Sequence, residues 1–85
     1  MTVQLSPTEK LLAEVVKNAT EVVRIRRIHF EGHELIDVRV YYRNAVGEFQ
    51  PTKRGICLRP EVFAELVHTA QEVLERIGID PFSEE

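Results

Sequence analysis

The 85-residue chain contains one cysteine and no tryptophan. A single cysteine excludes an intramolecular disulfide and any zinc module built on four cysteines. No apolar stretch approaches the roughly 20 residues that a transmembrane helix needs, and the N-terminus lacks the charged start and long apolar core of a secretory signal. These absences predict one soluble, intracellular protein of the cytoplasm, nucleoid or nucleus, with no membrane partner and no cofactor.

Charge is distributed unevenly along the chain, although the formal net charge is only −3. The segment 22–60 contains eight basic and four acidic residues, a local charge of +4, whereas the remainder carries −7. A charged ligand responds to the local field more than to the net charge. The middle of the chain is therefore the candidate surface for an anionic partner.

The N-terminal region has the pattern of a short helix at about 7–20, which we assign to an extension covering residues 1–20. Ser6 can cap this helix, Pro7 suits its first position, and Glu9 completes a capping box. Apolar residues then recur at helical spacing; they are Leu11, Leu12, Val15, Val16 and Ala19. A helix this short must pack on another element to persist.

The apolar period changes to two at about Val22, which predicts a β-hairpin with Glu31-Gly32 as its two-residue turn. If Phe30 pairs with His33, one face of the hairpin is aliphatic, with Val23, Ile25, Ile36, Val38 and Val40. The other face is basic, with Arg24, Arg26, Phe30, Asp37, Arg39, Tyr41 and Arg43. This register sets Arg24 opposite Arg39. Like charges opposite one another destabilise a sheet unless an anion lies over them, so the basic face predicts an anionic ligand.

Two further strands and a long helix complete the predicted α+β fold, a four-stranded antiparallel sheet with a helix at each end. Residues 48–50 predict the third strand, 51–55 a loop, and 55–58 the fourth strand. The C-terminal helix runs from Pro60 to Ile77, with Gly78 as its C-cap. Its heptad-like apolar stripe is broader than a small sheet covers, so we interpret it as a homodimer interface. The stripe contains Phe63, Leu66, Val67, Ala70, Val73, Leu74 and Ile77.

Several short motifs occur in a fixed order between Phe30 and Leu66. They are Phe30-x-Gly32, Leu35-Ile36-Asp37-Val38-Arg39, Tyr41-Tyr42, Gly47-Glu48, Pro51-x-Lys53-Arg54-Gly55-Ile56-x-Leu58, and Pro60-Glu61 followed by Phe63 and Leu66. This ordered set resembles the transcriptional coactivator family called positive cofactor four, or p15. The resemblance implies a curved sheet, a homodimer joined by its C-terminal helices, and binding of single-stranded or melted DNA with little sequence preference. It assigns residues 21–85 to that domain.

Carried over by position, the resemblance implies nucleic-acid contacts at Phe30, Arg39, Tyr42, Lys53 and Arg54. Glu31 and His33 stand where the best-known member of the family has lysines beside the hairpin glycine, and Tyr42 stands where the family has a stacking tryptophan. The hairpin register instead assigns Tyr41 to the basic face, and a bulge in the second hairpin strand would reconcile the two readings. With the basic face included, the predicted site is Arg24, Arg26, Phe30, His33, Arg39, Tyr42, Arg43, Lys53 and Arg54.

The predicted partners are single-stranded DNA, with RNA as an open alternative, a second copy of the chain, and the transcription machinery. The competing hypothesis is a dimeric protein–protein adaptor that contacts partners through acidic helices and binds no nucleic acid. A duplex-specific regulator is disfavoured because both predicted helices are acidic. His29, His33 and His68 do not form a converging zinc-ligand pattern. Cys57, buried in a strand by pattern, has no evident base partner and is interpreted as a small apolar filler. Neither a metal site nor an enzyme is predicted.

Overall fold

The structure, a computed structural model, describes residues 9–80 of the chain. Its elements in chain order are β1 (Lys10–Val16), β2 (Glu21–Phe30), β3 (His33–Arg43), β4 (Phe49–Leu58) and α1 (Pro60–Arg76). The strands pair antiparallel in one sheet of order β1-β2-β3-β4. The predicted four-stranded antiparallel sheet followed by a long C-terminal helix is thus confirmed, although β1 and β4 differ from the strands that were predicted.

The β2–β3 hairpin has the predicted turn and register. Phe30 pairs with His33, and Arg24 pairs with Arg39. Glu31 and Gly32 have φ values of 50° and 79°, the positive values that a tight hairpin turn requires at both central positions. Successive side chains of a strand point to opposite faces of the sheet, so this register also determines which residues lie on each face.

We use two names for these faces of the hairpin. The ion-pair face carries Arg24, Arg26, Asp37, Arg39 and Tyr41, and the aliphatic face carries Val23, Ile25, Ile36, Val38 and Val40. Tyr42 follows Tyr41 directly, so its side chain lies on the aliphatic face, near the end of the sheet opposite the hairpin turn.

The predicted N-terminal helix is wrong, because Lys10–Val16 forms the edge strand β1. Strand β1 pairs with β2 from Lys10 opposite Arg27 to Val16 opposite Val22, with a register shift between Leu11 and Ala13. All seven of its residues are exposed, so the segment lacks the apolar contacts that a short helix needs, whereas the edge of β2 supplies backbone hydrogen bonds. Ser6 and Pro7, the proposed cap and first residue, lie outside the described residues.

The predicted third and fourth strands are one continuous strand, β4, so the loop at 51–55 is also wrong. Arg39 pairs with Gly55 and Tyr41 pairs with Pro51. Three residues of β4, Thr52 to Arg54, thus oppose the single residue Val40 of β3. This is a β-bulge, and it lies in β4 rather than in β3, where a bulge was considered.

Gly55 is required by the close approach of β3 and β4. A Cβ atom built on Gly55 would lie 2.5 Å from the carbonyl oxygen of Val38 and 2.9 Å from Cα of Arg39. Because these atoms belong to the backbone, the strands must separate to accept a methyl group.

We expect Gly55→Ala to lower the free energy of unfolding by about 2 kcal/mol, measured by urea denaturation. A Cβ atom built on Gly32 would meet no other atom within 4 Å. The loss of stability in Gly32→Ala therefore comes only from the positive φ at this position. A loss no larger in Gly55→Ala than in Gly32→Ala would contradict the steric argument.

Helix α1 begins with proline in its first turn and ends at Arg76, one residue before the predicted Ile77, with Ile77 as its C-cap and Gly78 next. Gly78 has φ of 87°. Its backbone N–H donates to the carbonyl of Glu75 at 3.1 Å, and the N–H of Ile79 donates to Leu74 at 2.8 Å, the paired bonds of a Schellman motif. Within residues 9–80, this 17-residue helix does not have the length and apolarity that crossing a bilayer requires.

The core within one chain is small. Among residues 9–80, the buried side chains are those of Val22, Ile36, Asp37 and Tyr41. Helix α1 contacts β3 but contains no buried residue. Of the predicted interface stripe, Phe63 and Leu74 are half-buried, while Leu66, Val67, Ala70, Val73 and Ile77 are exposed. The apolar side of α1 is therefore left largely uncovered by its own chain.

Candidate nucleic-acid interface

A buried carboxylate organises the arginines of the ion-pair face. The side chain of Asp37 is only 2% exposed. Its Oδ2 accepts a hydrogen bond from Nη2 of Arg26 at 3.0 Å, and its Oδ1 accepts one from Nη2 of Arg39 at 2.9 Å. Arg39 also donates through Nη1 to the backbone carbonyl of Thr52 at 3.0 Å. The hydrogen bonds with Asp37 raise the pKa of Arg39 above its usual value, so its guanidinium stays charged.

Arg24, the third arginine of this face, is held by a carboxylate and by two aromatic rings. Its Nε donates to Oε2 of Glu14 at 2.9 Å. Its guanidinium carbon lies 4.8 Å from the ring centroid of Tyr41 and 5.3 Å from that of Phe49, within the range of a cation–π contact. Tyr41 is buried, so its ring packs beneath the arginines and is not available to stack on a base.

These contacts change the interpretation of the Arg24–Arg39 pair. The two arginines do face one another across the hairpin, but Asp37 and Glu14 provide the negative charge that was expected from a ligand. Arg26 has a second carboxylate as well, because Oε2 of Glu9 lies 3.5 Å from its Nη1. The opposition of like charges is therefore compensated within the chain and does not by itself require an external anion.

A second group of charges lies where the bulge of β4 approaches the start of β2. Glu21 is opposite Tyr42, and its Oε1 accepts hydrogen bonds from Nζ of Lys17 at 2.7 Å and Nδ2 of Asn18 at 2.8 Å. Its Oε2 accepts a hydrogen bond from Nη2 of Arg54, which reaches across β3. The hydrogen bonds from Lys17, Asn18 and Arg54 lower the pKa of Glu21 to about 2. We call Lys17, Glu21, Tyr42, Lys53 and Arg54 the bulge cluster.

The bulge cluster combines an accessible ring with accessible cations. The side chain of Tyr42 is 44% exposed, and those of Lys53 and Arg54 are exposed in the bulge. Lys53 and Arg54 lie in an edge strand, whose residues from Lys53 to Cys57 are all exposed. This group has the chemistry that base stacking and phosphate binding require.

The hairpin turn carries a third group of predicted residues. Phe30 is 60% exposed and pairs with His33, which is also exposed. Phe30 and Tyr42 lie at opposite ends of the hairpin, about 30 Å apart for nine residues of extended strand. Arg43 lies at the Tyr42 end, where its Nη2 donates to the backbone carbonyl of Ala19 at 3.3 Å.

The predicted site residues thus divide into three groups. Arg24, Arg26 and Arg39 surround Asp37 on the ion-pair face, Phe30 and His33 lie at the hairpin turn, and Tyr42, Arg43, Lys53 and Arg54 lie at the other end. Sequence reasoning missed Lys17 and Glu21, because it assigned Lys17 to a helix and could not show that Arg54 reaches Glu21. The contact between Asp37 and Arg26 could be predicted, because the predicted register sets these two residues opposite each other.

Residues 9–80 contain no group of three His, Cys, Asp or Glu side chains that could hold a metal ion. Cys57 pairs with Asp37 across β3 and β4 and is exposed in the single chain, so the prediction of a buried filler is wrong here. Partial burial of the thiol, and then the nearby Asp37 carboxylate, raise the pKa of Cys57. A raised pKa disfavours the thiolate that a nucleophile needs.

Known proteins share this fold and sequence. A family model described as Transcriptional Coactivator p15 (PC4) matches residues 17–69, so β1 lies outside the matched segment. A PC4 homologue from Burkholderia pseudomallei, in a tetragonal crystal form, is 34% identical with a TM-score of 0.71, and the match covers 76% of this chain and 96% of that chain. Its orthorhombic form gives 31% identity and a TM-score of 0.72, covering 82% and 95%.

A bacteriophage T5 homologue of the eukaryotic transcription coactivator PC4, implicated in recombination-dependent DNA replication, is 20% identical with a TM-score of 0.64. The match covers 80% of this chain and 78% of that chain. At this level of identity, the likeness supports the fold alone.

Proposed function

The chain belongs to the Transcriptional Coactivator p15 (PC4) family, and from this premise we propose that it is a homodimer that binds single-stranded DNA with low sequence selectivity. Its role is then that of a transcriptional coactivator or regulator that acts on melted DNA, with RNA as a second possible ligand and the transcription machinery as a partner. The observation that carries the proposal is the exposed ring of Tyr42, whose cross-strand neighbour Glu21 is bound by Arg54 from the bulge that also exposes Lys53.

The bulge cluster suits a single strand better than a duplex. A single strand offers unstacked bases and a line of phosphates, and an aromatic ring stacked on any base contributes roughly 1–3 kcal/mol without reading its identity. Lysine and arginine neutralise phosphates and release counterions, again without reading sequence. Phe30 at the far end of the hairpin supplies a second exposed ring, but it lies on the ion-pair face, opposite the face that carries Tyr42.

The uncovered apolar surface supports the homodimer. Leu66, Val67, Val73 and Ile77 are exposed along α1. An 85-residue chain with so few buried side chains is close to the lower size limit for a stable lone core. Pairing two copies would remove these surfaces from water and enlarge the core.

Removing both cations of the bulge tests the site. We expect Lys53→Ala plus Arg54→Ala to weaken binding to a labelled oligo-dT about 25-fold near ~0.1 M salt, since each lost phosphate contact costs about fivefold there. The slope of log K against log salt should become shallower by about 1.4. Lys10→Ala plus Arg76→Ala removes the same charge outside the predicted site and should leave the affinity nearly unchanged. Equal losses in both double variants would locate the effect in net charge instead of in the bulge.

The protein–protein adaptor remains the second candidate, and one observation favours it. Arg24, Arg26 and Arg39 are engaged by Glu14 and Asp37, as expected of a basic face that serves the sheet and no ligand. Titration of labelled oligo-dT at two salt concentrations separates the two candidates. The proposed function predicts saturable binding that weakens at the higher salt concentration, and an adaptor predicts no binding at either concentration.

A further inference from the structure

Glu21 occupies the position in the bulge cluster that a phosphate would take. Its two carboxylate oxygens accept hydrogen bonds from cations that come from different parts of the chain, Lys17 before β2 and Arg54 in β4. The cations remain open to solvent, with side chains 42% and 60% exposed, whereas the side chain of Glu21 is 15% exposed. The carboxylate is thus covered by the two cations, which still present free surface to the outside.

A phosphodiester resembles this carboxylate in the features that matter for Lys17 and Arg54. Both groups carry one negative charge and two equivalent acceptor oxygens, and arginine binds both through charge-assisted hydrogen bonds. Two anions cannot share the same two cations without repelling one another. A phosphate that approaches Arg54 must therefore either displace Glu21 or bind beside an uncompensated carboxylate.

We propose that Glu21 is an affinity-determining residue that competes with nucleic-acid phosphate for Lys17 and Arg54. In the free protein it holds the two cations together, and its charge lowers the affinity for a single strand. Lys17 thereby becomes a further phosphate contact. This inference rests on the proposed function, because it concerns the same surface and the same ligand.

The competition does not depend on pH under ordinary conditions. The pKa of Glu21 is lowered to about 2 by its hydrogen bonds to Lys17, Asn18 and Arg54, so the carboxylate is ionised between about pH 5 and pH 8. Salt concentration is then the variable that shifts the balance, since phosphate binding releases counterions from the strand and weakens as salt rises, whereas the contact with Glu21 lies within the chain.

Glu21→Gln tests the proposal directly. We expect the affinity for oligo-dT near ~0.1 M salt to rise about fivefold, the gain of one additional phosphate contact, and the salt slope to steepen by about 0.7. Glu72→Gln on α1 removes the same charge from an exposed residue whose Oε2 lies 3.4 Å from Nε2 of His68, and should change the affinity less than twofold. In an Arg54→Ala background, Glu21→Gln should raise the affinity over Arg54→Ala alone by clearly less than the full rise of about fivefold that independent charges would give.

An unchanged or weaker affinity in Glu21→Gln would overturn the inference, as would an equal rise in Glu72→Gln. A measurement on the unmodified protein guards against a folding defect in the variant. The carboxyl ¹³C resonance of Glu21 should shift when oligo-dT is added, while that of Glu72 should not, and a static Glu21 resonance at saturation would also overturn the inference. Absence of any binding by the unmodified protein would instead refute the proposed function, and the inference with it.

Discussion

Asp37→Ala is expected to lower the free energy of unfolding by about 3 kcal/mol, a substantial fraction of the roughly 5–15 kcal/mol that stabilises a native domain. The side chain of Asp37 is 2% exposed and bonds two guanidinium groups, those of Arg26 and Arg39. Removing it leaves two largely covered positive charges near each other, with Arg24 opposite Arg39. The loss of a buried partner costs more than the pair contributes, since Arg39 loses the carboxylate that it binds twice and Arg26 keeps only the more distant Glu9.

Glu14→Ala provides the matched comparison for Asp37→Ala. Glu14 also pairs with an arginine of the ion-pair face, but its side chain is 40% exposed. An exposed ion pair contributes at most about 1 kcal/mol, so this variant should unfold at nearly the same urea concentration as the unmodified protein. Both variants should be measured at one protein concentration, because association shifts apparent stability. Losses of similar size would show that burial of Asp37 does not control its contribution.

Charges placed on the apolar side of α1 should have the largest effect on assembly. Leu66→Glu plus Val73→Glu would bring two carboxylates into the proposed helix interface, where unpaired charges lose their hydration. We expect the dimer dissociation constant to rise at least about 100-fold, since each uncompensated polar group costs roughly 1–3 kcal/mol. Sedimentation equilibrium at micromolar concentration measures this directly.

The control for this variant adds the same charge to the other side of the helix. Ala64 and His68 lie roughly opposite Leu66 and Val73 at 3.6 residues per turn, and both are exposed. Ala64→Glu plus His68→Glu should therefore leave the protein dimeric. Finding the unmodified protein monomeric at micromolar concentration would refute the homodimer itself. The melting temperature of a true dimer should also rise with protein concentration.

Local chemistry explains which parts of the fold could be predicted. The turn Glu31-Gly32 permits positive φ and so determines the register of the whole β2–β3 hairpin. Pro60 and Gly78 mark the two ends of α1 through rules that involve neighbouring residues only. Both the hairpin turn and the ends of the helix are therefore determined by residues within a few positions of them.

The errors came from elements that depend on distant partners. The apolar residues of Lys10–Val16 fit a helix as well as a strand, and only the free edge of β2 decides between them. Pro51 looked like a loop residue, but β4 is an edge strand, where proline is tolerated. The ion pair between Glu21 and Arg54 was missed for the same reason, because it joins residues 33 positions apart through the bulge.

Each strand pairs with the next one along the chain, so no segment must thread past another or wait for a distant partner. Topologies dominated by such local pairing fold quickly, and hairpin formation takes about 1–10 μs. We therefore expect the sheet to form within each chain well before two chains meet. For the proposed homodimer, the slow, concentration-dependent step should then be encounter between already ordered subunits, which stopped-flow refolding over a range of protein concentrations would reveal as a bimolecular phase.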